Sequence, residues 1–196
     1  MCKLAVFASG NGSNFQSIID AIEGGQLQAT CEVLICDQPS AKVLERAEKA
    51  NIPAFVFKIK DFENKSAFER AILEKLRDYD VHFIALAGYM RLIGPTLLEA
   101  YEHKIVNIHP SLLPAFPGLD AIGQAFRAGV KVTGVTIHYV DSGMDTGPII
   151  AQQAVEISDD ETEESLRKKI HTVEHVLYPQ TLAHVFEKNK QEASNK

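Results

Sequence analysis

Asn107 and His109 stand two residues apart in the stretch NIHPSLLP, which follows an apolar run and contains Pro110 and Pro114. Residues i and i+2 of a strand point to the same face, so both side chains can converge on one small ligand. The amide can donate a hydrogen bond to a developing oxyanion, and the imidazole can move a proton. The plainer alternative is a loop that carries a satisfied surface histidine.

A second cluster lies near the start of the chain. Ser9-Gly10-Asn11-Gly12-Ser13-Asn14 follows a short apolar run and opens a helix. Backbone N–H groups at such a helix start, together with the helix dipole, favour a phosphate. Gly10 and Gly12 allow close backbone approach, and Ser13 and Asn14 can add side-chain donors. No Gly-Lys-Ser/Thr follows, so this is not a nucleotide P-loop. Phe15 stands where the third glycine of a dinucleotide fingerprint would fall. A single phosphate of a small substrate is the reading left, beside that of an ordinary strand-to-helix turn capped by Ser or Asn.

Two further motifs carry titratable groups. Asp145 sits in the turn Gly143-Met144-Asp145-Thr146-Gly147, where it either serves chemistry or caps the turn. His171-Thr172-Val173-Glu174-His175 spells H-x-x-E-H, the inverted zinc-protease signature. A third ligand would have to be Glu187 or Glu192, or come from elsewhere. The alternative is a helix lying beside a cleft, with no metal.

The elements that must position these residues alternate. Strands are expected over 3–8, 31–36, 54–57, 81–87 and 104–108, and helices over 13–23, 41–50, 65–78 and 95–101. The continuous apolar run 81–87 suits a parallel strand covered on both faces. Repeated β-α units imply a doubly wound, mostly parallel α/β sheet with right-handed crossovers. After Pro114 the pattern changes. A helix over 120–128 precedes strands over 131–139 and 149–157, which read as a late antiparallel pair. One or two long helices follow over 161–188, with Pro179 marking a break or kink. Residues 1–188 read as one domain, and 189–196 as a polar, frayed tail.

Composition narrows the function. The chain has 196 residues, 45% hydrophobic and 23% charged, as in an ordinary soluble enzyme. A net charge of −6 argues against a general nucleic-acid binder. Cys2, Cys31 and Cys36, an odd set without a secreted framework, suggest reduced thiols and a cytoplasmic location. Cys31 and Cys36 lie in or beside an apolar run and read as core. The first apolar run is too short for a signal peptide, and Arg91 interrupts the longest one well before membrane length.

Taken together, FASGNGSN, LAGYMRLI, NIHPSLLP, FPG at 116–118, DSGMDTGPI and EHVLYP at 174–179 are co-linear motifs. In these the chain resembles the phosphoribosylglycinamide formyltransferases, folate-dependent enzymes of purine synthesis, from Lys3 to about Phe186. The resemblance implies a Rossmann-like formyltransferase fold and the cosubstrate 10-formyltetrahydrofolate. It implies no metal. It places the catalytic trio on Asn107, His109 and Asp145, and the phosphate loop on Gly12, Ser13 and Asn14. It places the ribose carboxylate on Glu174, and the folate site on Met90, Arg91, Leu92 and Ile93 together with Asn107. Lys65 falls where the family often has a basic residue near the folate carboxylates. His171 stands where relatives have Lys or Gln near the phosphate, and Asp120 where some members have His. The implied partners are two small molecules, glycinamide ribonucleotide and the folate, with no nucleic acid and no membrane.

Three rival readings differ in what they require. A formyltetrahydrofolate deformylase would use water as acceptor and carry an N-terminal regulatory domain, whereas this chain opens on its first strand. A methionyl-tRNA formyltransferase would add a C-terminal RNA-binding domain, and only a short tail is expected here. A non-catalytic phosphate-binding module would not need Asn107, His109 and Asp145 together.

Overall fold

Apolar runs flanked by helices bury both faces of a central sheet. The computed structural model describes the backbone of residues 1–194 and the side chains of residues 1–191. Strands β1 (Cys2–Ala8), β2 (Ala29–Cys36), β3 (Ala54–Val56), β4 (Phe83–Leu86), β5 (Ile105–His109), β6 (Val132–Tyr139) and β7 (Ile149–Glu156) form one sheet, ordered β3-β2-β1-β4-β5-β6-β7. The first five pair in parallel, whereas β6 runs antiparallel to β5 and β7 antiparallel to β6. The antiparallel part thus begins at the β5–β6 contact.

The side-chain alternation of β1 explains its unbroken apolar run. Leu4, Val6 and Ala8 enter one core with Phe15, Ile18, Tyr178 and Leu182. Ala5 and Phe7 enter a second core with Phe68, Ile72, Leu76 and Leu97. The helices behind these residues are α1 (Ser13–Glu23) and α6 (Glu163–Ser194) on the first face, and α3 (Lys65–Asp78) and α4 (Pro95–Ala100) on the second. The remaining helices are α2 (Val43–Lys49) and α5 (Ala121–Ala128).

Pro179 does not break the last helix: α6 runs unbroken across it. An interior proline costs about 3 kcal/mol. Burial of Tyr178, Leu182, Val185 and Phe186 offsets that cost, each worth roughly 1.5–3 kcal/mol. The Tyr178 hydroxyl also contacts the Leu86 carbonyl at 2.9 Å and the Val106 carbonyl at 3.0 Å, tying α6 to β4 and β5. The same helix continues past Lys188 to Ser194, through most of the segment read as a frayed tail; Asn195 and Lys196 lie outside the described residues.

The chain leaves β1 toward β2 on one side and returns to β4 on the other. The connections that follow β1 and β4 therefore run to opposite faces of the sheet, to α1 and to α4, which opens a crevice at the usual ligand position of doubly wound sheets. The loops after β1, β4 and β5 all reach it.

Candidate active site

A cleft of about 710 Å³ occupies that crevice. The loop 10–14 and α6 residues His171, Glu174 and His175 line one arm; segment 88–93 lines the other. Asn107, His109, His138 and Asp145 line the same cleft, from the β5–β6 side of the sheet.

Asn107 and His109 occupy the carboxyl end of β5. Their loop is fastened by polar contacts to the antiparallel strands. Thr136 Oγ1 donates to the Ser111 carbonyl at 2.6 Å and accepts from Leu113 N at 3.0 Å. Gln152 Nε2 on β7 donates to the Leu113 carbonyl at 3.0 Å. The Ser111 hydroxyl donates to the Ala115 carbonyl, so it is occupied and has no base beside it. His109 is 5% exposed, and its Nε2 lies 2.9 Å from the Phe116 carbonyl. A carbonyl only accepts, so Nε2 carries the proton there. Nδ1 then faces Asp145 Oδ2 at 3.4 Å.

Asp145 arrives on the β6–β7 connection with φ +56°, the left-handed region that Asp tolerates better than most residues. The flanking glycines serve another purpose. A Cβ on Gly147 would stand 1.9 Å from the Tyr139 carbonyl, and one on Gly143 2.0 Å from Thr146 Oγ1. Close approach, not left-handed backbone, demands them. Asp145 Oδ2 accepts from Gly118 N at 2.8 Å, and Oδ1 lies 3.5 Å from Asn107 Nδ2. The structure thus brings Asn107, His109 and Asp145 together.

His138 is the site residue that the sequence reading missed. It lies on β6 directly opposite Asn107 and is 2% exposed. Its Nδ1 is 2.8 Å from the Tyr139 carbonyl, so Nδ1 carries the proton and Nε2 accepts from Asn107 Nδ2 at 3.1 Å. Burial, assisted by the neighbouring His109, holds its pKa below the ordinary 6.5, against the raising pull of the Tyr139 carbonyl and Asp145. The neutral ring aims the Asn107 amide. The strand alternation 131–139 already put His138 and Thr136 on one side; the antiparallel β5–β6 pairing was the missing step.

A histidine with a depressed native pKa binds fewer protons folded than unfolded between the two values. Its stabilisation is present above the unfolded pKa and is lost as pH falls through the folded one. His175, depressed by burial, acts in the same direction. The thermal midpoint is therefore expected to drop as pH is lowered below about 6.5, and His138→Gln to flatten part of that drop. Equal slopes in differential scanning calorimetry would remove His138 from this account.

The first loop departs from the expected details. Gly12 is the cap residue of α1 at φ +77°, with no side-chain cap. A Cβ there would stand 2.4 Å from Val43 Cγ2, so packing against α2 demands this glycine; Gly10 is the open one, with nothing within 4 Å. Asn14 Nδ2 donates to Glu174 Oε2 at 3.1 Å, which joins the loop to α6. His171 Nδ1 contacts the same oxygen at 2.8 Å. Asp120 is ion-paired with Arg127 at 2.8 Å and Arg167 at 3.4 Å, which ties α5 to α6. Lys65 is not among the cleft-lining residues; its Cε lies beside Gly94, at the end of the other arm. Among the described residues, no group of three or more His, Cys, Asp or Glu is arranged to hold a metal ion. Burial pushes the Cys31 thiol up to about 12 and Cys2 to about 11, which keeps both unreactive.

A doubly wound sheet that gathers an amide, an imidazole and a carboxylate in one cleft has the groups that an acyl-transfer enzyme would use. The model of the formyl transferase family matches residues 2–182. The chain is 62% identical to phosphoribosylglycinamide formyltransferase of Bacillus subtilis (strain 168), over 93% of each protein. It is 43% identical to the trifunctional purine biosynthetic protein adenosine-3 of Drosophila pseudoobscura pseudoobscura, over 92% of this chain and 13% of that one. The crystal structure of phosphoribosylglycinamide formyltransferase from Bacillus halodurans superposes with TM-score 0.93 at 56% identity, covering 95% of this chain and 96% of that one. The chain belongs to the phosphoribosylglycinamide formyltransferases of the formyl transferase family.

Proposed function

We propose that this chain transfers the formyl group of 10-formyltetrahydrofolate to the primary amine of 5'-phosphoribosylglycinamide in de novo purine biosynthesis. The products are formylglycinamide ribonucleotide and tetrahydrofolate. The convergence of Asn107, His109 and Asp145 at the junction of the two cleft arms carries this reading. The loop 12–14 takes the acceptor's phosphate on backbone N–H groups, and Glu174 takes the ribose hydroxyls. Met90, Arg91, Leu92 and Ile93 take the pterin of the donor, and Lys65 meets its carboxylate tail beyond Gly94. Residues 1–188 act as one domain in the cytoplasm on these two small molecules, without nucleic acid.

The amine nitrogen adds to the formyl carbon, and the carbonyl π pair moves onto oxygen. The Asn107 amide donates to that oxyanion, worth roughly 3–4 kcal/mol for a well-aimed donor, and the His109 imidazolium, whose two N–H groups face the Phe116 carbonyl and Asp145, stabilises it by charge. Asp145 favours the imidazolium by charge. The attacking nitrogen loses a proton, the C–N10 bond breaks, and N10 gains a proton. Holding both substrates in one cleft supplies much of the remaining acceleration.

A formyl-transfer assay with three acceptors tests the proposal. Glycinamide ribonucleotide is expected to be formylated, whereas water and methionyl-tRNA are not. Formate release without the amine, or formylation of the tRNA, would favour the corresponding rival. Exhaustive chelation is expected to leave the rate unchanged. Activity lost on chelation and restored by zinc alone would revive a metal role for His171, Glu174 and His175.

A further inference from the structure

We infer that Asp37 and Glu69, two buried carboxylates outside the cleft, are positioning residues that hold the donor-binding segment 88–94 in shape. The inference rests on the reading of that segment as the folate arm. The segment has no regular structure between β4 and α4. Ile93 is buried in the second core and Tyr89 packs against it, but Met90 and Leu92 are 65% and 52% exposed, so apolar burial does not fix the middle of the segment. Polar ties do. Met90 N donates to Ser9 Oγ at 2.9 Å, and Ser9 N donates to the Gly88 carbonyl at 3.1 Å. Arg91 Nε donates to Asp37 Oδ2 at 2.7 Å. Gly94 N donates to Glu69 Oε1 at 2.5 Å.

Both acids are costly where they stand. Asp37 is 4% exposed and Glu69 2%, and each leaves one buried oxygen, Oδ1 and Oε2, without a hydrogen-bond partner. A buried carboxylate with an unsatisfied oxygen is destabilising, so its presence needs a compensating role. The geometry supplies one. Asp37 follows β2 and engages Arg91 through Nε, which leaves both terminal guanidinium nitrogens for a ligand. An unheld arginine would lose its rotamer freedom on binding, which weakens affinity. Glu69 sits on α3 and takes the N–H of Gly94, the residue that caps α4. A Cβ on Gly94 would stand 2.6 Å from Glu69 Oε1, so the close approach of backbone and carboxylate requires glycine. The two acids clamp the arm at its middle and at its end, from two different elements.

Steady-state kinetics on the full chain test this, with 10-formyltetrahydrofolate and glycinamide ribonucleotide varied separately. Asp37→Asn is expected to raise the donor KM roughly tenfold, with acceptor KM and kcat changed less than about threefold. The same substitution in an Arg91→Ala background is expected to add nothing, because its effect passes through Arg91. Glu69→Met is expected to raise the donor KM, and Glu69→Gln, which keeps the acceptor oxygen, to stay near wild type. Should Glu69→Met fail to fold, Glu69→Gln and the Asp37–Arg91 cycle still decide. Additive effects of Asp37→Asn and Arg91→Ala, or equal rises in both KM values, overturn the inference and leave the donor site standing. An unchanged donor KM in Arg91→Ala overturns the donor-site reading and the inference with it.

Discussion

Asp145→Asn is expected to lower kcat by roughly 10²-fold or more, the usual scale for general acid–base groups, while KM for both substrates changes little. The substitution is a clean one. Asn tolerates the left-handed backbone at φ +56°, and its side-chain oxygen can still accept from Gly118 N. The charge facing His109 Nδ1 at 3.4 Å is removed, along with a long 3.5 Å contact from Asn107 Nδ2 to Oδ1. Without that charge, the imidazolium that steadies the oxyanion is less favoured, and the proton path from amine to N10 is weakened. A loss confined to kcat marks an interaction made mainly in the transition state. Near-normal kcat in a folded variant would sink the catalytic role and leave Asp145 as the residue that holds the turn.

Asn107→Ala is expected to cost roughly 10²- to 10³-fold in kcat, the range for removal of one oxyanion donor. The backbone at 107 is paired to Leu86 on β4 and His138 on β6, so the strand keeps its place when the side chain is cut. What disappears is an amide already aimed by neutral His138, whose Nε2 takes one of its hydrogens; the other makes only a long 3.5 Å contact with Asp145 Oδ1, which a ligand oxygen can displace. Asn107→Asp keeps the size but puts a second carboxylate beside Asp145 and the developing oxyanion, so its loss should exceed that of alanine. Rapid-quench single-turnover measurements separate this chemical step from product release. Single-turnover rates within tenfold of wild type for Asn107→Ala would refute the assignment.

Much of this was legible along the chain. Helix 65–78 was readable to the residue from its amphipathic pattern, and the structure adds its cap, Asn64, which accepts from Ala67 N. Helix 13–23 was readable from the apolar spacing after Ser13 and the glycines at 24 and 25. The run 3–8 read as a buried strand, and 81–87 as one covered on both faces. These are short-range matters, set by periodicity, caps and the conformational freedom of glycine. The motifs of the formyltransferase family supplied Asn107, His109, Asp145 and Glu174, and the fold gathers them around one cleft.

What the sequence by itself determined, then, is the alternation of elements, the parallel core and the family whose motifs single out the candidate site residues. Tertiary structure decided the rest. Pro179 sits inside an unbroken helix because buried Tyr178 and its neighbours outweigh a local cost. Gly12 is glycine for the sake of Val43, 31 positions away. His138 joins the site through its register opposite Asn107, and Arg91 is held by Asp37, 54 positions earlier in the chain. Each of these contacts joins residues far apart in the chain. Their energies depend on which strand lies beside which, and no local propensity encodes that until the sheet has closed.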